Sequence, residues 1–335
     1  MPAQLYEVDP IAVRDEIGKE RLIELWRRML TIRRFEERAE LAYRAKKVAG
    51  FLHLYIGQEA VATGWYDHIT PGVDATVTSY RCHAHAILSG VDVKELMAEL
   101  YGKATGNAKG KGGSMHFFSR EKLFLGGHGI VGGQIPVGTG AAFSLKYRKT
   151  GGVSLTFLGD GATPQGTFHE SLNMASLWSL PAIYIIENNQ YGMGTACHRA
   201  NAVDSLAEAK AVGYNMKAYT FDGLDLFASW KCAQEVVAEV RRSSRPVLVE
   251  AKTYRYRGHS VSDAGLYRTK EEVERYKRLD PIARVQQALQ DAGWLSEAEA
   301  NAIDEEIRAR MAEAADFAER SPEPPLSQLT ADVYA

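Results

Sequence analysis

Two apolar runs in this chain end in residues that carry hard oxygen atoms. Val153 to Leu158 leads into Gly159-Asp160-Gly161-Ala162, and Ala182 to Ile186 leads into Glu187-Asn188-Asn189. If both runs are strands of one parallel sheet, a carboxylate and an amide oxygen stand at its carboxyl edge, where open α/β sheets keep their ligand crevices. Magnesium suits such donors, because it completes its shell with phosphate oxygens and water. Glycines at 159 and 161 let the backbone approach an anion closely, and a helix N-terminus offers free N–H groups. The chemistry implied is the holding of a diphosphate through a metal ion.

The surrounding pattern supplies the elements that would position these groups. Val153 to Leu158 is short, apolar, partly β-branched and bounded by glycines, which predicts a buried strand. Thr163-Pro164 predicts a helix start, with a hydroxyl cap and a proline at the first helical position. Phe168, Leu172 and Ala175 follow at helical spacing, and Ala182 to Ile186 predicts the next strand. The whole is a βαβ unit, whose crossover is expected to be right-handed. Taken singly, Gly-Asp-Gly or Asn-Asn after a strand is ordinary turn chemistry; joined by one helix, the two are not. Gln190-Tyr191-Gly192-Met193-Gly194-Thr195 follows at once, where a backbone carbonyl adds a further oxygen.

The stretch from Gly159 to Thr195 resembles the thiamine diphosphate motif, which begins with Gly-Asp-Gly and ends with Asn-Asn. Further blocks stand in the order found in one family: His53 to Ala60, Ser79-Tyr80-Arg81, Lys109 to His116, Gly129-Ile130-Val131-Gly132 and Thr253 to Ser260. With these, residues 25 to 325 resemble the alpha subunits of the decarboxylating first component of 2-oxo acid dehydrogenase complexes, the pyruvate type in particular. The resemblance implies an α/β thiamine diphosphate-binding fold, a mainly parallel sheet flanked by helices, with N- and C-terminal helical extensions. It implies thiamine diphosphate- and Mg2+-dependent oxidative decarboxylation of pyruvate, with transfer of the acetyl unit to the lipoyl group of dihydrolipoyl acetyltransferase. It also implies a beta subunit, which would supply the other half of the cofactor site in an α2β2 heterotetramer.

Residue roles follow from the same resemblance. Asp160, Asn189 and the carbonyl of Tyr191 would hold the metal, and Gly161 and Ala162 would donate backbone N–H groups to the diphosphate. Tyr80 and Arg81 match positions at the cofactor's phosphate end, where an arginine fork suits phosphate oxygens. Gly129 and Val131 match positions whose backbone grips the aminopyrimidine ring, and Met193 one that keeps the two rings bent. His53 and His259 would be catalytic, flanking the 2-oxo acid and the diphosphate end, with near-neutral pKa values suited to proton transfer or to stabilising a carboxylate. His83, His85, His116 and His128 read as supporting or structural residues. Ser260 matches a serine phosphorylated in the mitochondrial enzymes, where a phosphate would repel the diphosphate.

Alternatives remain open at this point. Gly166 to Glu170 and Lys103 to Gly106 lean toward an acetoin-type substrate, and branched-chain 2-oxo acids are a further possibility. Outside the class, Gly127-His128-Gly129-Ile130-Val131-Gly132 satisfies G-x-G-x-x-G and would make a nicotinamide-dependent oxidoreductase. That pattern requires a strand before it, a helix opening on it and an acid about 20 residues on. Pro136 argues against the helix, and residues 147 to 153 offer no acid. Lys109 to Gly113 looks like a phosphate loop, yet no G-x-x-x-x-G-K-[ST] aligns there.

Composition narrows the partners. The chain has 335 residues and a formal net charge of −2, so neither nucleic acid nor an anionic membrane surface is expected as a partner. Its three cysteines, Cys82, Cys197 and Cys232, are scattered, as in a reducing compartment. An acidic N-terminus without transit-peptide character points to a bacterial-type cytoplasmic protein. The expected parts are an N-terminal arm and helix (1–46), an α/β cofactor-binding domain (47–280), and C-terminal helices with a tail (281–335). Leu22, Trp26, Met29 and Ile32 mark one stripe of the long helix, whose arginines and glutamates, Glu36 included, read as a solvated face. Asp280-Pro281 and the Ser296/Glu299 capping box predict two helix starts. Residues 259 to 267 predict a flexible loop.

Overall fold

The computed structural model describes residues 5 to 331 and residue 333. The first four residues of the expected arm, and residues 332, 334 and 335 of the expected tail, lie outside the described residues. Helices α1 (Pro10–Ile17), α2 (Lys19–Arg44) and α3 (Glu59–Tyr66) precede the sheet. There follow β1 (Ala75–Ser79), α4 (His83–Leu88), α5 (Val93–Leu100), β2 (Phe124–His128), α6 (Gln134–Tyr147), β3 (Ser154–Gly159), α7 (Gly166–Leu177) and β4 (Ala182–Asn188). A two-residue hairpin, β5 (Tyr191–Gly192) and β6 (Thr195–Ala196), leads through α8 (Cys197–Ala200) and α9 (Leu206–Ala211) to β7 (Lys217–Asp222). Then come α10 (Leu226–Ser243), β8 (Val247–Lys252), α11 (Lys270–Lys277), α12 (Pro281–Asp291) and α13 (Glu297–Arg320).

The main sheet has six strands in the order β2-β1-β3-β4-β8-β7, and every pairing is parallel. A parallel sheet needs cover on both faces, and β4 is accordingly buried along its whole length. Its residues alternate between two cores. Ile183 and Ile185 pack with Trp65 and Val236, whereas Tyr184 and Ile186 pack with Ile135, Phe168 and Leu172. Burying each such side chain stabilises the fold by about 1.5–3 kcal/mol. This is the α/β architecture expected, with helical segments added at both ends.

Local corrections have physical causes. The helix after β3 starts at Gly166, not at Thr163-Pro164, because a 3-10 turn over Asp160–Ala162 comes first. The Thr163 hydroxyl closes that turn by donating to the Asp160 carbonyl at 3.0 Å, so it caps nothing. The polar face of α2 is not wholly solvated. Glu36 is fully buried and holds His83 Nδ1 at 2.7 Å, and Arg33 bridges buried Glu59 and Asp280 at 2.6 and 2.9 Å. The G-x-G-x-x-G stretch does lie between a strand, β2, and a helix, α6. Pro136 sits in the first turn of α6, where a missing N–H removes no intrahelical bond. The missing acid remains the argument against a nicotinamide site. The starts of α12 and α13 are as expected, with Asp280 as N-cap and a complete Ser296/Glu299 capping box.

Candidate functional site

Asp160 follows β3 and Asn189 follows β4, and these strands pair directly, with Gly159 opposite Glu187. Both residues line a cleft of about 1010 Å³. Gly161, Ala162, Tyr191 and Met193 line it beside them, Gly129 and Val131 from the loop after β2, Tyr80 from just after β1, and His53 and His259 complete the lining. Of the residues expected to touch cofactor, metal or substrate, Arg81 alone is absent from the cleft lining. It is buried, and its guanidinium donates to the carbonyls of Leu54 and, at 3.0 Å, His259.

The glycines at the edge of β3 face open space. A methyl group placed on Gly159 would meet no atom within 4 Å, and one on Gly161 would meet only the Gly192 Cα at 3.5 Å. Packing within the chain therefore does not demand glycine there, whereas a phosphate group lying against the backbone does. Asp160 is 2% exposed, and burial pushes its carboxyl up to about 6 against the opposing pull of Arg255. A carboxylate so desolvated is costly unless a cation compensates it. Among the described residues no group of three His, Cys, Asp or Glu could hold a metal ion. A cation at Asp160 would therefore draw on amide and carbonyl oxygens, the donor set magnesium accepts.

The histidines form an aromatic cluster. Ring centroids lie 5.1 Å apart for His53 and His259, 4.5 Å for His53 and Tyr80, and 5.4 Å for Tyr80 and His259. Neither histidine has the near-neutral pKa expected. Burial, then Arg81, push His53 down to about 2 and His259 to about 4. Both are therefore neutral imidazoles at pH 7, suited to hydrogen-bonding an anion rather than to arriving as cations. His53 Nδ1 is buried without a hydrogen-bond partner. The arginines that depress these histidines also make the cleft attractive to a carboxylate.

Three features went unread in the sequence. Arg255 is 1% exposed, lines the cleft, and donates to Asn189 Oδ1 at 2.9 Å and to the Tyr191 and Met193 carbonyls. The repeated Tyr-Arg-Tyr-Arg pattern after β8 was the signal that could have found it. A relay from α2 supports the His53 backbone: Glu36 holds His83, His83 Nε2 meets Ser114 Oγ at 2.9 Å, and the His53 backbone N–H donates to that oxygen at 3.4 Å. Third, the phosphate-loop-like stretch closes on its own anion. Buried Glu99 accepts N–H bonds from Ala108, Gly110, Gly112 and Gly113 at 2.8, 2.8, 2.7 and 3.1 Å.

The loop 259–267 is tied down by its own polar groups. Asp263 accepts from the His259 N–H at 2.6 Å, the Gly265 N–H at 2.8 Å and the Tyr267 hydroxyl at 2.7 Å. Ser260 is 5% exposed on the cleft wall, with its hydroxyl 2.9 Å from that of Ser262.

Comparison with known proteins gives a consistent result. The family model described as dehydrogenase E1 component matches residues 27–327. The chain is similar to the pyruvate dehydrogenase E1 component subunit alpha of Rickettsia conorii, 46% identical over 316 residues, covering 94% of this chain and 96% of the relative. It is similar to the protein of the same name from Zymomonas mobilis, 47% identical over 329 residues, covering 98% and 92%. That of Rhizobium meliloti is 47% identical over 319 residues, covering 95% and 91%.

Proposed function

The chain belongs to the dehydrogenase E1 component family, and from that premise we propose that it is the alpha subunit of a pyruvate dehydrogenase. The observation that carries this reading is the cleft at the β3 and β4 ends, where open glycines, buried Asp160 and the Asn189 and Tyr191 oxygens meet. The family depends on thiamine diphosphate, and we add Mg2+ as its partner ion. Asp160, Asn189 and the Tyr191 carbonyl hold the ion, and the Gly161 and Ala162 N–H groups receive the diphosphate. Tyr80 flanks the phosphate end, and Arg81 acts from behind through the His259 carbonyl. The Gly129 and Val131 backbone grips the pyrimidine, and Met193, 66% exposed, offers the apolar support for the rings.

Thiamine diphosphate, when bound, supplies the carbanion chemistry that releases CO2 from a 2-oxo acid. The chain's own contribution is orientation and electrostatics. Neutral His53 and His259 donate hydrogen bonds to the substrate carboxylate, and Arg81 and Arg255 provide the field that draws it in. An oxidised lipoyl group of dihydrolipoyl acetyltransferase would take the remaining two-carbon unit as an acetyl thioester, its disulfide accepting the two electrons and leaving the second sulfur as a thiol.

A beta subunit completes the assembly as α2β2. Supporting this, Ile130, Met193 and Phe51 stand 78%, 66% and 61% exposed around the cleft, more apolar rim than a finished site leaves to water. Packing of α13 against α5 and α2 supports treating the arm and helix (1–46), the α/β body (47–280) and the C-terminal helices (281–335) as one unit. The three relatives are bacterial, which supports a cytoplasmic location. No helix of the described residues is long and apolar enough to cross a membrane.

The test is turnover by the chain assembled with a beta subunit, using an artificial electron acceptor. Pyruvate is compared with 3-methyl-2-oxobutanoate and acetoin. Pyruvate-selective decarboxylation is expected, and preference for acetoin would move the substrate assignment while keeping the site. Ser260→Glu places a negative charge on the cleft wall and is expected to suppress turnover; full activity would remove the phosphorylation reading.

A further inference from the structure

The short segment after β4 that carries two of the proposed cation ligands, Asn189 just before the hairpin and Tyr191 within it, has little regular structure of its own. Its strands, β5 and β6, have two residues each, too few for independent stability. Gln190 and Met193 hold φ values of 76° and 51°, in the left-handed region that disfavours non-glycine residues. Asn189 presents a side-chain amide whose two ends differ by one nitrogen, so a flip would turn an NH2 group toward a cation. Something outside the hairpin must fix both backbone and amide.

We propose that Arg255 is the positioning residue of the cation site, fixing the oxygens of Asn189 and Tyr191 for the metal ion. The proposal rests on the functional reading above. A guanidinium only donates, so whatever it touches must be an acceptor. Arg255 Nη1 meets Asn189 Oδ1 at 2.9 Å, while Asn189 Nδ2 donates to Gln58 Oε1 at 3.2 Å. These two bonds allow one orientation of the amide, with its oxygen toward the site. The same Nη1 donates to the Tyr191 carbonyl, and Nη2 to the Met193 carbonyl and, at 2.6 Å, the Tyr267 hydroxyl. Each accepting carbonyl oxygen keeps a second lone pair for a cation.

The fork lies between two aromatic rings, with its Cζ 5.9 and 5.8 Å from the Tyr191 and Tyr267 ring centroids. Its Nε is buried without a hydrogen-bond partner. Lysine would keep the charge, and with it the repulsion toward a metal ion, but could not reproduce the planar fork.

The experiment uses the assembled alpha–beta complex with thiamine diphosphate, and Mn2+ as an electron paramagnetic probe of free and bound ion. Arg255→Lys is expected to weaken Mn2+ about 10–100-fold, the range for groups that orient metal ligands. Tyr267→Phe, which removes the loop contact and leaves the hairpin contacts intact, is expected to leave Mn2+ affinity within about two-fold. Wild-type affinity in Arg255→Lys would overturn the proposal, as would an equal loss in Tyr267→Phe, which would place the effect in the loop. Should Arg255→Lys fail to assemble, Arg255→Gln, whose amide can donate to only part of this oxygen set, must weaken Mn2+, and unchanged affinity there overturns the proposal. No Mn2+ binding by the wild-type complex would instead remove the cation site itself.

Discussion

Two glycine-rich turns in this chain meet negative charge in opposite ways. The 106–113 turn wraps four N–H groups around Glu99, a carboxylate the chain supplies itself. The 159–161 turn faces a cleft, and its glycines have open space where side chains would be. In the first turn glycine is a packing requirement. A Cβ on Gly106 would lie 2.3 Å from Glu99 Oε2, and Gly110 combines a φ of +76° with a Cβ only 2.5 Å from the Gly102 carbonyl. In the second, no close contact within the chain requires it, which fits the proposed diphosphate site. In sequence the first looks like a phosphate loop without matching its pattern; in the structure the position of the nearest buried carboxylate separates it from the second.

The comparison can be broken at several points. The largest effect is expected from Asp160→Ala, which should cut cofactor-dependent turnover on the order of 1,000-fold, about 4 kcal/mol of transition-state stabilisation, without lowering the melting temperature. Retained turnover would mean that the open turn holds no metal.

Glu99→Gln should do the reverse. It sets an amide NH2 against backbone donors, so urea unfolding should show a loss of about 3 kcal/mol, unrelieved by inorganic phosphate. A rescue by phosphate would show that the first turn is an anion site after all.

A paired glycine test comes next. Gly106→Ala should destabilise by about 1–3 kcal/mol through overpacking. Gly159→Ala should leave stability unchanged and weaken thiamine diphosphate binding in calorimetry. Equal stability losses would erase the distinction.

The smallest effect is in pH. His259 is lowered from 6.5 to about 4 in the folded protein. Between those values the unfolded chain binds the proton more readily, so this contribution to stability is present above pH 6.5 and lost as pH falls toward 4. His259→Asn should flatten the stability profile in that window by at most one proton. An unchanged slope would mean that the cleft does not hold His259 neutral.

Much of the architecture was legible because it is written locally. The β3–α7–β4 unit, the long α2 and the capping box of α13 each depend on patterns a few residues wide. The α7 start was misplaced because Thr163 has the chemistry of a cap but serves the preceding turn. Glu36, Glu99 and Arg255 were not legible as they act. Each looks like an ordinary charged residue, and its meaning comes from partners brought near by the fold: His83 for Glu36, the 108–113 amides for Glu99, Asn189 for Arg255. The His53 and His259 pKa values were misread for the same reason, since their depression comes from burial and from arginines elsewhere in the sequence.

The central claim is that the cleft at the ends of β3 and β4 takes a diphosphate through a divalent ion. The most direct measurement is calorimetric titration of thiamine diphosphate into the assembled complex, with Mg2+ and with excess chelator, for wild type and Asp160→Ala. Binding that requires Mg2+ and disappears in Asp160→Ala is the expected result. Equal affinity in chelator, or in the variant, would contradict it.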